Sequence, residues 1–144
     1  MRHSERDTEG YFSETLSGFP LGLDSIPAGF PSPVDNTDTE RLDLTAHLIR
    51  HPEATFFLRV NGHSMIGAGI FDGDLIIVDR SLTPLSGDIV VAVLDGEFTI
   101  KRLWVKGNQI ELKPENPKFK TIRVADESQL EVWGVVTAAV KSFR

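Results

Sequence analysis

Asp95-Gly96, set between the β-rich runs Asp88–Leu94 and Glu97–Trp104, restricts the fold more than any other feature of the chain. A two-residue connection of this kind suits a mirror-image turn, whose backbone twist matches that of the antiparallel strands it joins. Gly73-Asp74, Ser86-Gly87 and Lys106-Gly107 add further turns. They separate runs over Ala54–Val60, Asp74–Asp79, Gln109–Lys113 and Glu131–Val140, the last broken by Gly134. Short strands, tight turns and little helix predict a mainly β domain of mostly antiparallel strands. The one helix expected is short, capped by Asp43, presenting Leu44, Leu48 and Ile49, and ended by Pro52.

Residues 1–40 read differently. They are polar and rich in Gly, Pro, Ser, Thr and Asp, with isolated apolar anchors at Tyr11, Phe12, Phe19, Leu21 and Leu23. That composition predicts a flexible arm ahead of a compact domain over 41–144. Within the arm, Pro27, Pro31 and Pro33 flank Ala28-Gly29 and disfavour helix on both sides of that bond.

Composition excludes several function classes. The net charge of −6 offers no basic surface to neutralise phosphates, so direct DNA binding is not expected. The most basic stretch, Lys113 to Arg123, is diluted by Glu111 and Glu115 and reads as a solvated loop. No apolar run is long enough to cross a bilayer, and no basic segment followed by an apolar one opens the chain. Without cysteine there is neither disulfide nor thiol catalysis, which fits a cytoplasmic protein. His3, His47, His51 and His63 lack metal-ligand spacing, and Gly67–Gly73 lacks the Lys-Ser/Thr of a phosphate loop. No metal or cofactor is expected.

Two residues carry possible chemistry. Ser64 lies in Asn61-Gly62-His63-Ser64-Met65, and Lys101, 37 residues on, closes Asp95-Gly96-Glu97-Phe98-Thr99-Ile100-Lys101. A hydroxyl becomes a nucleophile when a base takes its proton, and a lysine serves only as the neutral amine. Free lysine has a pKa of about 10.4, and burial in an apolar site lowers it. Strand alternation, however, puts Lys101 with Glu97, Thr99 and Leu103 on a mostly polar face, which predicts an amine in water. His63 is adjacent to Ser64, and neighbouring side chains diverge, so a Ser–His pair is not expected. The backbone N–H groups of His63 and Ser64 are the better candidates for an oxyanion hole.

The order of motifs resembles the UmuD branch of the LexA family of self-cleaving Ser–Lys proteases (peptidase S24). The likeness runs from Gly29-Phe30-Pro31 through His51-Pro52-Glu53-Ala54-Thr55, Gly62-His63-Ser64-Met65, Asp72-Gly73-Asp74-Leu75, Gly87-Asp88-Ile89-Val90 and Asp95–Lys101 to Gly134-Val135-Val136. The resemblance implies that Ser64 is the nucleophile, Lys101 the general base and Ala28-Gly29 the bond cut. It further implies a homodimer, cleavage stimulated by the RecA–single-stranded-DNA filament after DNA damage, and a processed product that joins a UmuC-like Y-family polymerase in translesion synthesis. The first 28 residues lie outside the resemblance and are too short for the helix-turn-helix domain of LexA repressors. A signal-peptidase-like enzyme would need a membrane anchor. The alternative is a non-catalytic dimeric assembly subunit of that polymerase, which would need neither Ser64, Lys101 nor the Ala-Gly bond.

Overall fold

A computed structural model describes residues 18–34, 37–125 and 129–144. The chain forms two compact units, one ending at Arg50 and the other spanning His51–Arg144.

In the first unit, β1 (Phe19–Gly22) pairs antiparallel with β2 (Thr39–Leu42), Phe19 facing Leu42 and Gly22 facing Thr39. The arm reading assigned no strand here; Pro20 is tolerated because the ladder has only two strands, both of them edges. Gly18 makes the close approach possible: its φ is +78°, and a Cβ there would lie 2.3 Å from the Leu42 carbonyl oxygen. The expected helix, α1, is a short one over Leu44–Leu48, and the Asp43 carboxylate accepts from the Ala46 N–H at 3.2 Å. Residues 25–34, Ala28 and Gly29 among them, belong to no helix or strand and are exposed. Tyr11 and Phe12 lie outside the described residues.

The second unit is built on one seven-stranded sheet in the order β3-β4-β9-β5-β6-β7-β8, with every neighbouring pair antiparallel. The strands are β3 (Thr55–Arg59), β4 (Leu75–Asp79), β5 (Ile89–Leu94), β6 (Glu97–Lys106), β7 (Gln109–Lys113), β8 (Ile122–Val124) and β9 (Leu130–Val140). The mainly β, antiparallel expectation holds. Asp95 at φ +50° and Gly96 at φ +82° make the tight β5–β6 turn, with Leu94 facing Glu97.

Gly134 does not break β9. It is buried, and a Cβ there would meet Val78 Cγ1 at 2.5 Å, so glycine lets β4 and β9 approach. The irregularity is instead two register shifts. Val91 faces Gly134 but Ala92 faces Val132, and Ile77 faces Ala138 but Val78 faces Val136. Trp133 and Thr137 are the extra residues, and such bulges re-aim side chains.

Apolar residues gather in two clusters. One holds Val60, Met65, Ile70, Ile76, Val78 and Val91; the other holds Val90, Ala92, Leu103, Leu112 and Val135. Val90 and Val91 are consecutive yet fall in different clusters, as period-two alternation on a sheet covered on both faces requires. Met65, one residue past Ser64, is 2% exposed, which anchors the loop after β3 in the first cluster.

Candidate active site

The loop from β3 to β4 leaves the sheet at Val60 and is fixed at its base. The Val60 N–H donates to Asp74 O, the Gly73 N–H to Val60 O, and the Gly62 N–H to Asp72 Oδ1 at 2.8 Å. Gly62 at φ +108° and Gly69 at φ +82° bound the turn, and a single 3-10 turn over Ile66–Ala68 lies between them. Ser64 enters this turn half-buried.

Lys101 lies on β6, opposite Val90 of β5. It is buried, not solvated as alternation alone predicted. Its strand face includes Leu103, part of the second cluster, and the Ser64 loop lies against its amine. Nζ lies 3.2 Å from Ser64 Oγ, 2.7 Å from Thr99 Oγ1 and 3.0 Å from the Ile100 carbonyl. Burial pushes the amine below the ordinary lysine range. Among the described residues no carboxylate forms an ion pair with it.

This contact set fits both forms of the amine: an ammonium donates to all three oxygens, and a neutral amine fits as well. The neutral form has two N–H donors and one lone pair. Thr99 Oγ1 and Ile100 O accept the two donors, which leaves the lone pair for the Ser64 hydroxyl. The arrangement is capable of removing a proton from that hydroxyl.

An open cleft of about 390 Å³ adjoins Ser64. Its lining includes Leu58, Val60 and Ile76 from the β3–β4 side and Phe98, Ile100 and Trp133 from the other. Trp133, displaced by its bulge, packs against Phe56 at 5.2 Å and Phe98 at 5.8 Å between ring centres, with the Arg80 guanidinium 4.4 Å over its ring.

The structure thus brings Ser64 and Lys101 together. Ala28 and Gly29 belong to the other unit. His63 is exposed, and its carbonyl is held by Asn116. The stretch after β7 is no mere solvated loop. The Glu115 N–H donates to Ser64 O at 2.8 Å, the Gly67 N–H donates to Glu115 O at 2.7 Å, and Asn116 Nδ2 donates to His63 O at 2.9 Å. Glu115 also pairs with Arg102 (Nε to Oε1, 2.5 Å), the residue after Lys101. One segment therefore ties the serine loop to the lysine strand. The sequence offers no signal for this beyond a polar Glu-Asn between two prolines.

His51 has a structural partner as well. Its Nδ1 lies 2.6 Å from Asp79 Oδ2, while Asp79 Oδ1 accepts from the Ser81 N–H and hydroxyl.

Residues 20–137 match the family described as Peptidase S24-like. The chain belongs to the S24 peptidase family. Among its relatives, Protein SamA of Salmonella typhimurium is 47% identical over 125 residues, covering 87% of this chain and 86% of that protein. Protein MucA of Escherichia coli is 46% identical over 123 residues, covering 85% and 84%. The LexA repressor of Oleidesulfovibrio alaskensis is 54% identical over 81 residues, 56% of this chain and 39% of that one. The chain is accordingly UmuD-like within a family of serine peptidases, as the order of its motifs implies. Among the described residues, no helix of this S24 chain is long and apolar enough to cross a membrane.

Proposed function

We propose that the protein is a self-cleaving serine endopeptidase that hydrolyses its own Ala28-Gly29 bond with a Ser64–Lys101 dyad. The observation that carries the reading is the buried Lys101 amine 3.2 Å from the Ser64 hydroxyl, with no carboxylate pairing among the described residues to hold it charged. Lys101 takes the proton of Ser64 as Oγ attacks the Ala28 carbonyl carbon. The N–H groups of His63 and Ser64 receive the oxyanion. Collapse breaks the peptide bond, and the Lys101 proton passes to the Gly29 nitrogen, which leaves as an amine. Lys101 then deprotonates a water that attacks the Ala28–Ser64 ester, restoring the serine and releasing the Ala28 carboxylate.

Substrate shape supports the choice of bond. In an extended chain alternate side chains share a side, so a substrate strand through this bond presents the small Ala28 and the apolar Ile26 together. Tethering supplies a high effective concentration in place of affinity. The family likeness further supports an SOS role, in which a RecA–single-stranded-DNA filament stimulates cleavage. The homodimeric product then serves a UmuC-like Y-family polymerase in the cytoplasm.

The test is intact mass against time from pH 6 to pH 11 for wild type, Ser64→Ala and Lys101→Ala, with and without RecA, ATP and single-stranded DNA. Below the Lys101 pKa the neutral fraction rises tenfold per pH unit, so the rate of forming a product that begins at Gly29 rises likewise. It levels off before about pH 10.4, the free-lysine value. Wild type that stays whole under every condition refutes the reading in favour of a non-catalytic assembly subunit.

A further inference from the structure

The dyad accounts for the nucleophile and the base but leaves open what aims the backbone groups that must receive the oxyanion. In a trans peptide the C=O of one residue and the N–H of the next point in opposite directions across one rigid plane. Whatever fixes the His63 carbonyl therefore fixes the direction of the Ser64 N–H. That carbonyl is held by Asn116, whose Nδ2 donates to it at 2.9 Å. Asn116 is itself 8% exposed, the only asparagine among the buried polar residues described. Its amide orientation is unambiguous. Oδ1 accepts from the Lys118 N–H at 3.0 Å, which requires an acceptor there, so the donor end must face His63. Among the described residues no acceptor is recorded for the Ser64 N–H, which leaves it free for a substrate oxygen.

Asn116 reaches none of the reacting groups: its recorded partners are His63 O, the Lys118 N–H and, through its own carbonyl, the Phe119 N–H. We propose that Asn116 is a positioning residue that aims the Ser64 N–H into the oxyanion site by holding the opposite side of the His63–Ser64 peptide. The inference rests on the Ser64–Lys101 reading. It differs from it in assigning the aim of the transition-state donor, rather than the proton transfer, to a residue 52 positions beyond the nucleophile, next to Glu115, whose N–H holds the Ser64 carbonyl.

The test compares wild type, Asn116→Ala and Asn116→Asp in full-length protein by two readouts. Asp keeps the shape of Asn and its acceptor toward Lys118 but sets a carboxylate against the His63 carbonyl, and circular dichroism confirms that each variant is folded. The first readout is the pH profile of self-cleavage. Removing an oxyanion donor outright costs about 10²–10³ in rate, so mis-aiming one lowers the plateau about ten- to a hundredfold. The pH of half-maximal rate, which belongs to Lys101, stays where it is. A structural defect that displaces the dyad would move that pH instead, and an unchanged plateau or a shifted midpoint overturns the proposal. The second readout is phosphonylation of Ser64 by a fluorophosphonate, read by mass, which does not depend on the chain's own bond. If wild type is phosphonylated but never cleaves itself, the self-cleavage reading falls. The positioning proposal then stands if the Asn116 variants label at least tenfold more slowly and falls if they label equally fast. Wild type that neither cleaves nor labels overturns both.

Discussion

Gly67→Ala is the smallest change that should disturb the site without touching a reacting atom. A Cβ at Gly67 would stand 2.6 Å from Glu115 O and 3.3 Å from Glu115 C, where ordinary contact begins near 3.4 Å. The two segments must part by several tenths of an ångström, and the thing struck is backbone, which cannot rotate away. The Gly67 N–H to Glu115 O bond, 2.7 Å in the native chain, is stretched by the same displacement. Overpacking of this kind costs about 1–3 kcal/mol, and a weakened hydrogen bond adds about 1. Glu115 also carries the bond to Ser64 O and the ion pair to Arg102, so its shift is passed to the Nζ–Oγ contact at 3.2 Å. A misplacement approaching 1 Å costs about a hundredfold in rate. The assay pairs a urea titration with the intact-mass time course. Gly67→Ala should lower the urea midpoint and slow cleavage by one to two orders of magnitude. A variant as stable and as fast as wild type would refute the close approach of Gly67 and Glu115 and the coupling drawn from it.

Two further outcomes follow from buried charge. In a Ser64→Ala background, the stability of Lys101 relative to Lys101→Met should depend on pH in one direction. The folded pKa is lowered, so between it and about 10.4 the unfolded chain binds more protons, and the lysine form gains stability as pH rises through that window. Urea midpoints that diverge the opposite way would show an amine stabilised in its charged form. For Asp79, burial raises the pKa but the hydrogen bonds from Ser81 and His51 outweigh it and hold the carboxyl below its usual value. Its contribution is therefore present above about pH 3.9 and lost as pH falls through the lower folded value. Asp79→Asn should be less stable than wild type at pH 7 and draw level in acid, and a gap that persists unchanged at pH 2 would count against the carboxylate as its source.

Much of the sheet was legible because its signals are local. The six longest strands of the sheet fall within two residues of the runs bounded by Gly and Asp turns, and the Asp95-Gly96 turn fixes the β5–β6 register outright. Ser64 was legible through the short motif that holds it, Gly62-His63-Ser64-Met65. Lys101 was not, since alternation reports which residues share a face and is silent on what covers it; here the cover comes from a loop 37 residues earlier in the chain. Gly134 misled because a glycine in a strand signals either an interruption or a close neighbour, and only the opposing Val78 decides. Asn116 and the pairing of His51 with Asp79 depend wholly on distant partners, which no local pattern encodes. Strand β8, three residues long, and the β1–β2 pair, interrupted by Pro20 and Gly22, are too short to leave a periodic trace.

The position of β9 has a consequence for the order of synthesis. It is made after every other strand, yet it lies between β4 and β5, the two halves of the sheet that carry the Ser64 loop and the Lys101 hairpin respectively. A nascent chain that has already exposed both residues to the cell has the Glu115-Asn116 tie between them but still lacks the strand that lies between the two halves of the sheet. The full sheet closes only after residues 130–140 have cleared the ribosome, so a chain cut short before that point carries Ser64 and Lys101 on two sheet halves with no strand between them.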